Sequence, residues 1–238
     1  MYLCFSIYIL LIFMKALKLI IISLLAITNA TFAQSTTSSE KPASDFLMVQ
    51  LGIDGWAGKP DTIHTTGIGR GLNVYLCKNY PLKNSKLSFA AGIGIGSSSI
   101  YLDNQEARFA DTSFVKFNAE SKNYSKYKLT TAYFEAPLEL RYFENTVNKN
   151  KGFKAAIGLR IGTLLQAHTK GVYSFNGVKT TDKVVSKHFL DTWRFAATAR
   201  VGYGNFSIFM AYNLNTLFKA GSGPDITPYS VGVCISGL

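Results

Sequence analysis

Two carboxylates, Glu135 and Glu139, and two guanidiniums, Arg160 and Arg194, stand in stretches whose other members are mostly apolar or small. Such charges must find partners, because taking an ion out of water is costly unless it is paired. These four residues are therefore expected to form one buried ion-pair network, with a structural role favoured over substrate selection. His168, His188 and Asp54 suggest a second chemistry, since two imidazoles beside a carboxylate can hold a metal or act as a general base. The motif spacing argues against it. No HExxH, GxSxG or paired-cysteine ligand pattern occurs. Cys4, Cys77 and Cys234 are too few for a disulfide framework. Gly92-Ile93-Gly94-Ile95-Gly96 superficially resembles a phosphate-binding loop, but its glycines alternate strictly and no helical pattern follows. Neither catalysis nor a metal nor a cofactor is expected.

The elements that must position these residues have a period of two. Eight segments of about ten residues place apolar side chains on one parity and small or polar ones on the other. They are residues 47–54, 68–76, 87–96, 134–142, 153–168, 192–203, 206–215 and 229–236. In the third, Leu87, Phe89, Ala91, Ile93 and Ile95 oppose Ser88, Ala90, Gly92, Gly94 and Gly96. In the fourth, Phe134, Ala136, Leu138, Leu140 and Tyr142 oppose Glu135, Glu139 and Arg141. A soluble sandwich would crowd its second face with Lys and Glu. Here that face is Gly, Ala, Ser and Thr with a few charges, as a narrow lumen requires, so the apolar face is expected to meet lipid. The same parity puts His168 and His188 on the inner side at the outer ends of neighbouring strands, with Asp54 near the first loop.

Composition agrees. Only 16% of the 238 residues are charged, where a soluble domain averages roughly 25%. Hydrophobic residues make up 47%, yet no run of 18 apolar residues follows residue 33. A transmembrane helix in that region is thereby excluded, as is disorder.

The net charge of +11 raises nucleic acid as a partner, and the leader removes it. Met14-Lys15-Ala16-Leu17-Lys18 is a basic start, Leu19 to Ile27 an apolar core, and Thr31-Phe32-Ala33 a small-residue cleavage pattern. Residues 1–33 thus read as a signal peptide, with Met14 as the natural start. Removing Lys15 and Lys18 takes +11 to +9. An exported basic chain is expected to meet an anionic membrane surface rather than nucleic acid. Residues 34–45 are a polar linker with too little apolar surface to fold, leaving 46–238 as the folded domain.

The connections alternate in length. Residues 78–86, 143–152 and Gly204-Asn205 are short and read as periplasmic; 56–67, 103–126, 169–187 and 217–228 are mostly longer and read as external. The charged residues of 103–126 read as a solvated surface. A two-residue turn at Gly204-Asn205 sets Tyr203 opposite Phe206. Asn176-Gly177 reads as a second such turn, but pairing Phe175 with Val178 mismatches parity by one, so a bulge is expected between this tip and the bilayer. Lys170, Lys179, Lys183 and Lys187 against Asp182 give the tip hairpin +3, suited to lipopolysaccharide or a protein partner. Trp56, Tyr127, Tyr142, Trp193, Tyr203 and Tyr229 read as interfacial girdles.

Tyr133-Phe134-Glu135-Ala136-Pro137-Leu138-Glu139-Leu140-Arg141-Tyr142 resembles the mid-barrel strand of the PorT-like outer-membrane β-barrel family, in which Glu and Pro stand together inside an apolar strand. The resemblance covers about residues 45–238. It implies an all-β, eight-stranded antiparallel up-and-down transmembrane barrel in the outer membrane of a Gram-negative bacterium, and an accessory role in secretion. Pro137 has no N–H to give, so a bulge or a missing bond is expected beside it. The functional expectation is a non-enzymatic barrel with a filled lumen, acting through its external loops on surface polymers or a protein partner. The alternative is a narrow passive pore for ions or small solutes. The sequence leaves oligomeric state open.

Overall fold

The computed structural model describes residues 46–109 and 114–237. The expected signal peptide and linker, and Asp111 of the external loop, lie outside these residues. Eleven strands follow in order: β1 (Leu47–Ala57), β2 (Gly69–Pro81), β3 (Leu87–Leu102), β4 (Gln105–Arg108), β5 (Lys116–Ala119), β6 (Tyr124–Phe143), β7 (Phe153–Phe175), β8 (Val178–Val185), β9 (Trp193–Tyr203), β10 (Phe206–Asn213) and β11 (Thr227–Ser236). Nine form one antiparallel sheet in the order β6-β3-β2-β1-β11-β10-β9-β7-β8, and β6 also pairs with β7. β4 and β5 form a separate hairpin. No helix occurs among the described residues.

Alternation sets the two faces. Along β2, Arg70, Leu72, Val74, Leu76 and Lys78 are exposed, while Gly69, Gly71, Asn73, Tyr75 and Cys77 are buried. The same inversion runs round the sheet: Ile93, Ile157, Ile208 and Val233 are more than half exposed, whereas Glu135, Arg141 and Arg160 are at most 2% exposed. Large aliphatic side chains on the outside and charges on the inside reverse the order of a water-soluble sheet.

The turns obey residue chemistry. Tyr203 pairs with Phe206 across Gly204, whose φ is +61°. Phe175 pairs with Val178 across Asn176 and Gly177, both at positive φ, as a type I′ turn demands. The parity mismatch at that tip is absorbed lower down. Tyr133 pairs with Leu164 while Ala132 pairs with Gln166, so Leu165 is an extra residue on β7. Below it the even positions of β7 face inward; above it Ala167 and Thr169 do. The ladder between β3 and β6 lapses at Ala136 and Pro137 and resumes in the same register, Ala91 with Leu138 and Gly94 with Glu135. Pro137 therefore leaves a missing bond rather than a bulge.

Two expectations need correction. The connection 103–126 is not simply a solvated surface: it forms β4 and β5, and Ala107, Phe109 and Val115 are buried. Trp56 and Tyr127 are not girdle residues. Their parity turns them inward, where they join Ile63, Leu190, Phe218 and Ile226 in one apolar cluster. Trp56 meets Phe117 edge-on at 6.2 Å, and Phe117 meets Phe218 in the same way. Backbone bonds Val115 N to Ser222 O, Asp191 N to Leu217 O and Lys219 N to Phe189 O stitch the connections together. The long connections at this end of the sheet thus fold into a packed apolar cap.

Candidate functional site

The inner face carries two layers of charge. In the upper layer Glu135, on β6, is fully buried. Its Oε1 lies 3.1 Å from Arg194 Nη1, on β9, and its Oε2 lies 3.6 Å from Arg160 Nε, on β7. Tyr75, on β2, donates its hydroxyl to Glu135 Oε2 at 2.5 Å. Arg160 also donates to Gln50 Oε1, which accepts from Asn73 as well, and its guanidinium stacks over the Tyr75 ring at 5.1 Å. Arg194 donates to Asn213 Oδ1 at 3.1 Å. One carboxylate is thus held from three other strands.

Register explains how it reaches them. Tyr75, Gly94, Glu135, Gly162 and Arg194 occupy one continuous rung across β2, β3, β6, β7 and β9. Large and absent side chains alternate along it. A Cβ on Gly162 would lie 2.9 Å from Glu135 Cγ, and one on Gly94 would lie 2.6 Å from the Tyr75 ring. The glycines are the space into which the carboxylate and phenol extend.

The lower layer centres on Glu139. Arg141 Nε approaches its Oε2 at 2.7 Å and Arg200 Nη2 at 3.1 Å. Arg141 also donates to Asn79 Oδ1, and Arg200 and Lys154 both donate to Ser236 Oγ. The four residues expected to form one network are therefore placed in two. Glu135 is with Arg160 and Arg194, and Glu139 is with Arg141 and Arg200. Both added arginines stand at inward parity in the sequence, but only the register puts them within reach of Glu139.

Above the upper layer sits the cap. Arg194, Asp54 and Asn213 share with Trp56 and Leu217 a cavity of about 20 Å³, room for about one water. Below, Arg141, Phe143, Lys154 and Arg200 leave no water-sized space between them. In the cap hairpin, Glu106 accepts from Arg108 Nε at 2.7 Å and Ser121 Oγ at 2.9 Å. Burial alone would raise its pKa, but these bonds outweigh that and hold it below the usual carboxylate value. Lys122 meets Asp182 at 2.6 Å, and this hydrogen bond raises its pKa well above the ordinary lysine value.

The outer-rim trio does not converge. The extra residue Leu165 flips parity, so His168 faces outward between buried Ala167 and Thr169 instead of inward as expected. Asp54 is on the inner face, its carboxylate against Gly71. His188 is exposed in the connection 186–192, edge-on to Phe189 at 4.5 Å. The sheet wall separates His168 from Asp54. Among the described residues, no group of three His, Cys, Asp or Glu is arranged to hold a metal ion.

Comparison with solved structures finds mutant porins of Rh. blastica. One is 12% identical, with 80% of this chain and 98% of that chain covered and a TM-score of 0.21. A second is 10% identical at the same coverage and TM-score. No curated protein matches. A family model described as outer membrane protein beta-barrel domain matches residues 31–219, which takes in both charge layers and most of the cap. The chain belongs to the outer membrane protein beta-barrel domain family, and this membership places it in the outer membrane of Gram-negative bacteria.

Proposed function

We propose that this protein is an eight-stranded, closed up-and-down barrel whose lumen is plugged, acting as a non-enzymatic structural or interaction protein of the outer membrane. Closure is supported by the pairing order. β6, β3, β2, β1, β11, β10, β9 and β7 each have a partner on both sides, because β6 and β7 pair along Tyr124 to Phe143. Such a ring leaves no unpaired edge in lipid, the condition any membrane-spanning sheet must meet. An eight-stranded barrel encloses a space that side chains can fill.

The observation that carries the plugged reading is the pair of charge layers, Glu135 with Arg160 and Arg194 and Glu139 with Arg141 and Arg200, stacked beneath the apolar cap. An ion would have to pass both layers and the 20 Å³ cavity above them. The leader read at residues 1–33 supplies the export route. The cap, on the side of the long connections, is the external face that meets a partner. The PorT-like strand at 133–142 favours an accessory role in secretion for that contact.

Single-channel recording in planar bilayers tests this. Purified protein should insert and stay silent at both polarities. Stable, reproducible open steps would favour the alternative, a narrow pore for ions or small solutes.

A further inference from the structure

On the outer wall, Tyr101, Lys128, Lys170 and Lys183 stand on one rung across β3, β6, β7 and β8. Lys128 lies between buried Tyr127 and Leu129, and Lys170 follows buried Thr169, so both point away from the inner face. Lys183 is the direct cross-strand neighbour of Lys170. Like charges directly opposite one another on a sheet repel, and this rung carries three with no acid among them. The adjacent carboxylate, Asp182, is already held by Lys122 at 2.6 Å. Lys128 and Arg70 both lie against the Tyr101 ring, at 6.0 Å and 5.9 Å, which extends the positive surface to β2. Asp103 and Glu120 line, together with Arg70, Tyr101 and Lys126, a groove of about 440 Å³.

Two rungs of mostly polar side chains follow on the same outward faces, Ser99, Thr130 and His168 and then Ser97, Ala132 and Gln166, and below them come the exposed apolar side chains Ile95, Phe134, Ile161 and Leu165. Lys128 is six residues beyond Phe134, about 20 Å along the strand at roughly 3.3 Å per residue. With a strand tilt near 40°, that sets the lysine backbones about 15 Å above Phe134 along the barrel axis, and their flexible stems can reach down from there toward headgroup depth. A ligand that answers both features has phosphate at one end and acyl chains at the other.

We propose that Lys128, Lys170 and Lys183, with Arg70 and Tyr101, form a binding site for the phosphorylated headgroup of an outer-leaflet lipid, whose acyl chains lie on the apolar wall beneath. The site rests on the barrel reading above, since it needs that wall to face lipid with the long connections outward. Charge-assisted bonds from several lysine ammoniums to one phosphate relieve the repulsion along the rung.

The test is native mass spectrometry of the detergent-purified full chain, titrated with bisphosphorylated lipid A. The wild type should hold one lipid A. Lys128→Gln, Lys170→Gln and Lys183→Gln combined should weaken it by about tenfold or more, as expected for three lysines near a charged surface. The triple Lys→Arg variant should restore it, and Lys179→Gln at the hairpin tip should leave it unchanged. Equal binding by the triple Gln variant, or equal weakening by Lys179→Gln, overturns the site. Displacement of lipid A by inorganic phosphate overturns the lipid as the occupant and leaves a free-phosphate site. Should the triple Gln variant not fold, Lys128→Gln alone decides between the same outcomes. Heat-modifiable gel mobility is measured on every sample; its absence in the wild type would strike the barrel reading instead of this one.

Discussion

Glu135 on β6 and Arg194 on β9 have a whole strand between them, yet their charges meet at 3.1 Å. The residue that separates them on the rung is Gly162, and the absence of a side chain there lets the carboxylate cross. A glycine in a strand interior is ordinarily a weakness. Here it is the condition for a buried ion pair, and the same device recurs at Gly158, whose Cβ would lie 3.0 Å from Glu139 Cγ.

Gly162→Val should therefore destabilise the protein by about 1–3 kcal/mol, the usual cost of forcing extra volume into a packed interior. Thermal melting in detergent checks this. A melting temperature unchanged from wild type would mean that the Glu135 side chain does not occupy that space.

Arg160→Ala should cost about 3–5 kcal/mol, because it leaves Glu135 and Gln50 short of a buried partner. The loss should appear as a lower temperature for the conversion from folded to unfolded gel mobility. Arg108→Ala should shift that conversion far less, because the Arg108 side chain is half exposed and Glu106 keeps its bonds from Ser121.

The cap should loosen in acid. The Glu106 pKa is lower in the folded protein than in the unfolded chain, so its contribution is present above the unfolded carboxylate value, about 4.3, and lost as pH falls through the folded value. Hydrogen-exchange protection of the β4–β5 hairpin, taken relative to the intrinsic exchange rate at each pH, should fall below about pH 4, and Glu106→Gln should weaken that dependence. Protection in this hairpin that stays constant with pH in the wild type would contradict the role of Glu106.

Short epitope tags separate the two ends of the sheet. A tag after Asn176, at the β7–β8 turn, should be labelled on intact cells, whereas a tag at Lys149, between β6 and β7, should be labelled only after permeabilisation. The reverse pattern would invert the orientation.

Much of the sheet was legible because a period of two survives in any strand that faces two different media, and the Tyr203–Phe206 and Phe175–Val178 turns follow from two-residue loop chemistry. The cap was not legible. Phe109, Val115, Leu190 and Phe218 lie in connections with no repeating pattern, and their burial depends on loops brought together by the sheet. Alternation alone puts His168 on the wrong face, because one extra residue, Leu165, reverses parity between it and the strand below. Local pattern could show that a bulge was needed, but it could not place the bulge on either side of His168. The partition of Glu135 and Glu139 into separate layers likewise depends on register, which sets which arginine is a neighbour across three strands.

The inside-out reading is tested most directly by its two tryptophans. Trp193 is half exposed on the apolar outer face, and Trp56 is buried beneath the cap. In vesicles of lipids brominated near the headgroup end of the acyl chain, the Trp56→Phe protein, which reports Trp193 alone, should be strongly quenched. The Trp193→Phe protein, which reports Trp56, should fluoresce as it does in unbrominated lipid. Quenching of Trp56 with Trp193 untouched, or of neither, would contradict a sheet whose apolar face looks out on hydrocarbon.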